Sequence, residues 1–244
     1  MIRAFIGLLL LPSTLLSVSC AAQAVGLIAK SKASFPFLTG FAVAIVVGLF
    51  GYFFVTGGPA AWLGRQISRV YVFGHELTHA LAAWSVGAKV LGFKVGEEGG
   101  HVDLSHSNAY IALAPYCLPI YTIFVVAGYR ILLWQNPRAG GKEIFLGLLG
   151  LTLSFHLIKT VEVIWQRKQP DLVAAGGALF SLSWIGMANA LVMLVLLKSL
   201  FPSTISLSGS MRSVADRSLS FWGGFYGVVQ PIQDSVATKL KKSL

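Results

Sequence analysis

The sequence predicts an all-α polytopic membrane protein with five to six transmembrane helices and a short β-hairpin. Of its 244 residues, 55% are apolar and only 11% are charged, whereas an average soluble domain is about a quarter charged. The mean hydropathy is +0.74. Together with long intervals that lack any charge, these values exclude an ordinary soluble domain.

Charge-free intervals locate the spans, because an ionised side chain at the bilayer centre costs at least ~2.5 kcal/mol and a spanning helix needs roughly 20 apolar residues. Five intervals stand out, namely residues 4–29, 33–64, 104–129, 144–158 and 172–197. A sixth apolar segment lies between Arg69 and Lys89. It is interrupted by His75, Glu76 and His79, so a sixth span would have polar side chains at its centre.

Residues 1–60 are predicted to form N-terminal membrane helices, the second of them over residues 37–55. The first can be a signal peptide, because Arg3 precedes an apolar run and small residues surround Cys20. A retained signal anchor is favoured, since apolar character continues to Ile28, beyond the usual length of a signal-peptide apolar region.

The predicted core, residues 61–201, follows a break at residues 57–59, which are Gly, Gly and Pro. Helical character without an internal proline extends over residues 61–88. Alternating residues after Lys89 and a turn at residues 97–100 then predict a β-hairpin over residues 89–103. Three further spans are predicted over residues 109–133, 142–165 and 171–200.

Residues 202–244 form a basic, partly amphipathic C-terminal tail. Phe221 and Trp222 with flanking cations indicate an interfacial segment that Pro231 divides into two short pieces, and a disordered tail is the alternative. The net charge of +10 favours anionic lipid over nucleic acid, since basic residues beside spanning helices meet the bilayer surface. In a bacterial cell such a chain is expected in the cytoplasmic membrane, with the basic tail on the cytoplasmic side.

Residues 75–79 match the HExxH pattern, with His75, Glu76 and His79 at its defining positions. On a helix, residues four apart lie on one face, so both imidazoles can bind the same zinc ion. Glu76 would lie beside the metal, where a carboxylate can deprotonate water and then protonate a leaving nitrogen. Ionisable residues inside a membrane indicate a function because their insertion is costly. A cluster satisfied by backbone carbonyls is the structural alternative.

A catalytic zinc ion takes three protein ligands and leaves a fourth position for water, so a third ligand must lie elsewhere. The candidates are His101, Asp103, His106, His156, Glu162 and Asp171. Asp171 opens a predicted helix, where a carboxylate is also a good cap. His156 can be a ligand, a residue that supports a ligand, or a packing residue bonded to Ser154. Glu162 can instead pair with Lys159 on the same helix face.

The predicted last span places Asn189 18 residues after Asp171. That spacing corresponds to about 27 Å along a continuous helix, so Asn189 is expected to be too far away to support Asp171 directly. Ser181 and Ser183 are better placed to line the middle of the span, although packing would explain them equally well.

A longer motif surrounds the HExxH pattern. It comprises Gly74, His75, Glu76, Leu77, Thr78, His79, Ala80, Ala83, Gly87 and Val90. This motif resembles the site-2 protease family of intramembrane zinc metallopeptidases. Gly100 and Val102 are similar to that family's hairpin, and residues 112–115 look like its Leu-Ala-Gly-Pro helix start. The resemblance covers residues 62–197 and implies that Asp171 is the third ligand.

The sequence also departs from that family. Ala112, Leu113, Ala114 and Pro115 lack the glycine of the Leu-Ala-Gly-Pro motif, and the asparagine that usually follows is absent. Asp171 lies within Gln-Pro-Asp-Leu rather than Leu-Asp-Gly. These differences indicate a divergent, short branch.

The resemblance implies a zinc-dependent protease that hydrolyses a peptide bond in or near a transmembrane segment of a membrane-protein substrate. His75, His79 and Asp171 would hold Zn²⁺, and Glu76 would be the general base. The hairpin would hold the substrate as an added strand, or act only as a connector. The alternative is a non-catalytic membrane scaffold or pseudoprotease that keeps a zinc site. A zinc carrier is disfavoured because the spans offer no continuous polar route.

Overall fold

The computed structural model describes residues 2–54, 58–96, 99–166 and 169–243, and the chain within these ranges is mainly helical. The helices are α1 (Ile2–Ile28), α2 (Phe35–Phe54), α3 (Gly58–Ser85), α4 (Ala109–Cys117), α5 (Ile120–Gln135), α6 (Lys142–Gln166), α7 (Pro170–Ala175), α8 (Ala178–Leu200) and α9 (Leu207–Ser243). The strands β1 (Val90–Val95) and β2 (Gly100–Leu104) lie between α3 and α4.

Four helical segments among the described residues are long and apolar enough to cross a membrane: α1, the segment Lys32–Leu49 that includes most of α2, α6 and α8. Helices α4 and α5 pass the same test only as a pair, which would make a fifth span. Helix α3, which carries Arg65, Arg69 and Glu76, is not one of them. The structure therefore has four to five apolar helices suited to a multi-pass membrane protein.

The predicted β-hairpin is present. Strands β1 and β2 pair antiparallel, with Val95 opposite Gly100 and Phe93 opposite Val102, and an irregularity lies between Val90 and Gly92. The glutamates of the predicted turn, residues 97–98, lie outside the described residues, as does residue 57 of the predicted break before α3. Both strands pack on α3, so the hairpin covers the helix that carries the HExxH motif.

The predicted single span over residues 109–133 is wrong in one respect, because it is two helices bent by 68°. Helix α4 ends at Cys117, and Leu118 has extended backbone angles, φ −108° and ψ 111°. Pro119 explains the break, since a residue before proline is driven out of the helical region. Because of this bend, α4 ends inside the protein and α5 leaves in a different direction.

The predicted helix over residues 171–200 is also broken. Helix α7 ends at Ala175, and α8 begins at Ala178 after Gly176 (φ 130°) and Gly177 (φ 97°). Only glycine adopts such positive φ angles readily. The result is a short separate helix that carries Asp171.

Two helix pairs rest on close backbone contacts. A Cβ atom on Gly40 of α2 would collide with the carbonyl of Gly147 of α6, and one on Gly150 would collide with the carbonyl of Phe37. Small residues allow this approach between helices in membranes. Helix α1 packs on α8 in the same way, because a Cβ on Gly7 would lie 2.6 Å from the backbone nitrogen of Phe180.

The C-terminal tail is one helix, α9, and the prediction that Pro231 divides it into two pieces is wrong. A single proline removes one backbone hydrogen bond, and the helix continues through that loss. The hydroxyl of Ser13 on α1 donates to the hydroxyl of Ser218 on α9 over 3.0 Å. Phe221 and Phe225 are half exposed, so an interfacial role of this helix stays a prediction.

Candidate metal centre

Helix α3 brings the two histidines of the motif together. His75 and His79 are four residues apart, and their ring centroids are 4.9 Å apart. Their Nε2 atoms face the same carboxylate oxygen, which belongs to a residue far away in the sequence. One helix therefore supplies two imidazole donors on a single face.

The third member is Asp171, which α7 places against α3. Its Oδ2 atom lies 3.6 Å from Nε2 of His75 and 3.5 Å from Nε2 of His79. Among the described residues, these three form a group that could hold a metal ion, with all donor atoms within 4.8 Å of one another. The structure thus brings together the three residues that the sequence analysis took as ligands.

A hydrogen bond at the other ring nitrogen explains why Nε2 of His79 is the available atom. Nδ1 of His79 donates to the carbonyl of Ile111 over 2.9 Å, and because a carbonyl only accepts, that nitrogen carries a proton. Nδ1 of His75 lies 3.2 Å from the Tyr71 hydroxyl, within hydrogen-bonding distance. Metal-binding histidines typically use their second nitrogen in this way, which fixes the ring and the tautomer.

The donor set fits a zinc ion, although nothing in it selects zinc over other divalent metals. Ligand atoms about 2.0 to 2.2 Å from a tetrahedral zinc ion are about 3.3 to 3.6 Å apart. The separations of Asp171 from His75 and His79, 3.6 and 3.5 Å, fall within this range. Two imidazoles and one carboxylate also leave a fourth position for water, as in catalytic sites.

Glu76 is buried beneath the hairpin. A Cβ atom on Gly100 of β2 would lie 2.7 Å from Cγ of Glu76, which shows how closely the strand covers this side chain. Glu76 follows His75 directly on α3, so it lies next to the candidate ligands without being one of the three donors. Glu76 and His79 are thus buried polar side chains on the same helix.

Sequence reasoning missed Tyr116, which lies on α4 with no exposed surface. Its hydroxyl donates to Oδ2 of Asp171 over 2.9 Å. A hydrogen bond to a carboxylate favours its ionised form, which is the form that binds a cation.

His156 lies outside the metal-binding group. Its Nε2 atom lies 3.0 Å from Oδ1 of Asn189, whereas Ser154, its expected partner, has no hydrogen bond from its hydroxyl among the described residues. Asn189 in turn donates to the carbonyl of Tyr116 over 2.7 Å. Asn189 thus contacts Tyr116, which in turn contacts Asp171. A continuous last helix, which would put Asn189 about 27 Å from Asp171, does not indicate this connection.

The remaining candidates have other partners. Glu162 accepts from Lys159 over 2.8 Å, which confirms the predicted ion pair. His101 and Asp103 face each other at 3.7 Å on the exposed side of β2, and His106 lies 3.3 Å from the hydroxyl of Ser105. None of these residues is a member of the group formed by His75, His79 and Asp171.

The predicted start of the span at residue 109 is confirmed, and the segment 112–115 that resembles the family's helix start lies further along the same helix. Helix α4 begins after Asn108, whose side chain accepts from the backbone N–H of Ile111 over 2.9 Å. Residues 112–115 therefore lie inside α4, towards its C-terminal end. Asparagine is a preferred residue for such a cap, and it is the local signal for the true start.

Comparison with known proteins adds no relative. No family model matches the chain, and neither a curated protein nor a solved structure matches it. The resemblance to the site-2 protease family accordingly rests on the motif residues named above.

Proposed function

We propose that the protein is an intramembrane zinc metalloprotease that hydrolyses a peptide bond in or near a transmembrane segment of a membrane-protein substrate. One observation carries the proposal: His75, His79 and Asp171 converge from two separate helices beside Glu76, in a chain with four to five apolar helices. Costly polar groups in such surroundings are best explained by chemistry that needs them.

The ligands in this proposal are Nε2 of His75, Nε2 of His79 and Oδ2 of Asp171. When bound there, a zinc ion supplies Lewis-acid polarisation of the scissile carbonyl and a water of lowered pKa. Glu76 accepts the proton of the attacking water and transfers it to the leaving nitrogen.

The hairpin supports the choice of a polypeptide substrate. A two-stranded sheet leaves unpaired backbone groups along its outer edges, and an extended peptide can add to such an edge. The hairpin lies on α3 above Glu76, and Phe93 of β1 contacts Phe73 of α3, with ring centroids 6.1 Å apart. A substrate strand held there would run beside the base. We further propose that α3 crosses the membrane, which gives the larger number of six spans.

The test combines metal content with cleavage. We expect near one zinc ion per chain in detergent-purified protein, loss of that zinc in Asp171→Ala, and its retention in Asp103→Ala, which removes an exposed carboxylate from the hairpin. In vesicles with a panel of single-span membrane proteins, the wild type should release fragments detected by mass spectrometry. Glu76→Gln should keep the zinc and release none.

Three results would contradict parts of the proposal. A wild-type protein that takes up no zinc when it is supplied would overturn the metal site. Equal fragment release by wild type and Glu76→Gln would remove the base from the mechanism. Zinc binding with no cleavage of any panel member would favour the non-catalytic scaffold.

A further inference from the structure

Three polar side chains from three helices connect the candidate ligand Asp171 to the helical core. Tyr116 lies on α4, Asn189 on α8 and His156 on α6, and each contacts the next. We infer that Tyr116 is a positioning residue for the metal ligand Asp171, and that Asn189 and His156 hold Tyr116 in place. The inference rests on the metal-binding part of the proposed function.

Tyr116 touches two of the three candidate ligands. Its hydroxyl donates to Oδ2 of Asp171 over 2.9 Å, the same oxygen that faces the two imidazoles. Its ring stands edge-on to the His75 imidazole, with centroids 5.1 Å apart. A side chain with no exposed surface has little freedom to move. Tyr116 thereby restrains both the direction of the carboxylate and the ring beside it.

The same hydroxyl also reaches the segment before α7. Oε1 of Gln169 lies 3.3 Å from the Tyr116 hydroxyl, and Nε2 of Gln169 donates to the carbonyl of Val163 on α6 over 3.0 Å. The short helix that carries Asp171 is therefore tied to α4 and α6 at its start. That tie matters because α7 has only six residues.

Asn189 fixes the backbone of Tyr116. The carbonyl of Tyr116 is among the last of α4, where helix carbonyls have no partner within the helix. Nδ2 of Asn189 donates to it over 2.7 Å and to the carbonyl of Ile185 over 2.9 Å. Two carbonyl acceptors determine the orientation of the amide, so its Oδ1 faces His156 and accepts from Nε2 over 3.0 Å.

These contacts end at the carboxylate of Asp171, so their loss should change the metal affinity. Hydrogen bonds to a ligating carboxylate hold it in the binding geometry before the metal arrives, and their loss lowers metal affinity roughly 10- to 100-fold. A purely structural role would instead lower the melting temperature and leave the affinity of the folded protein unchanged. The two roles are therefore separable by experiment.

The experiment titrates the metal-free, detergent-purified full chain with Co²⁺, whose visible absorption reports the ligand geometry. Tyr116→Phe removes only the hydroxyl, and we expect its dissociation constant for Co²⁺ to rise roughly 10- to 100-fold with an altered spectrum. The matched control is Tyr110→Phe on the same helix, whose hydroxyl contacts Ser85 over 3.3 Å. The control should bind Co²⁺ like the wild type.

A second pair of variants tests the far end of the chain of contacts. His156→Leu removes the donor to Asn189 and should weaken Co²⁺ binding, whereas His156→Gln retains an N–H donor and should bind more tightly than His156→Leu. If Tyr116→Phe matches the wild type in affinity and spectrum, the inference is wrong while the metal site stands. If the wild type itself binds no Co²⁺, both the inference and the metal site are overturned.

Discussion

At Gly100 the hairpin approaches α3 so closely that no side chain fits. A Cβ atom there would lie 2.7 Å from Cγ of Glu76 and 2.9 Å from both the carbonyl oxygen of Lys94 and Cγ1 of Val72. The Lys94 oxygen belongs to the backbone of the partner strand and cannot rotate away. A larger residue at this position must therefore move the hairpin, and with it the cover over the proposed base.

We accordingly expect Gly100→Ala to destabilise the protein by about 1 to 3 kcal/mol, the usual cost of overpacking. Its zinc content should stay near the wild-type value, because none of the three candidate ligands is displaced directly. The matched control is Gly96→Ala, where the nearest atom to the new Cβ is 3.4 Å away. Thermal unfolding in detergent checks the difference, and identical melting temperatures for the two variants would contradict the close fit.

Individual residues differ in how far the sequence predicted their roles. The spacing of His75 and His79 is local, and one helical turn brings them together whatever the rest of the fold does. The role of Tyr116 depends on a contact with Asp171 across 55 positions of the chain. A tyrosine in an apolar helix has no pattern that indicates such a contact, so only the folded chain reveals it.

Helices α2 and α6 form a pair in which glycines carry the contact. At Gly150 the carbonyl of Phe37 occupies the space that a Cβ would need. Such an approach lets two backbones pack at short range, and packing is the main attraction between helices in a membrane. The pair therefore holds α6, the helix that carries His156, against α2.

Gly150→Ala should separate the two helices and lower the unfolding free energy by about 1 to 3 kcal/mol. The control is Gly128→Ala on α5, where a Cβ would meet no atom within 4 Å, and alanine there should be neutral or slightly stabilising because it favours the helix. Melting temperatures in the same detergent decide between them. Equal melting temperatures for the two variants would contradict the close contact at Gly150.

The sequence predicts an element well where apolar composition or residue alternation locates it. It predicts less well whether a long apolar segment is one continuous helix. Helix α6 has nearly the predicted bounds, and the hairpin is present as predicted. The breaks at Pro119 and at Gly176 were missed, because apolar composition locates a span without showing whether one helix fills it. The second break matters most for the candidate site, since it produces the separate helix that carries Asp171.

At the scale of the whole molecule, the first helix, α1, supports the short helix that carries the candidate ligand Asp171. Arg3 donates to the carbonyl of Ala175 over 2.8 Å, at the C-terminal end of the helix that carries Asp171, where a cation is favourable. Further along, Thr14 donates to the carbonyl of Ser183, and Ser183 donates to the carbonyl of Gly7. Removing this helix would expose all of these groups at once.

We therefore expect α1 to be retained in the mature protein rather than cleaved as a signal peptide. Intact mass spectrometry of the purified chain should show residues 2–28 present. Ala22→Leu removes the small residue that signal peptidase would require, at a position exposed in the fold, and should change the mass only by that substitution. A wild-type mass that lacks about 20 N-terminal residues, restored to full length by Ala22→Leu, would show cleavage. Asp171 would then need another source of support for α7.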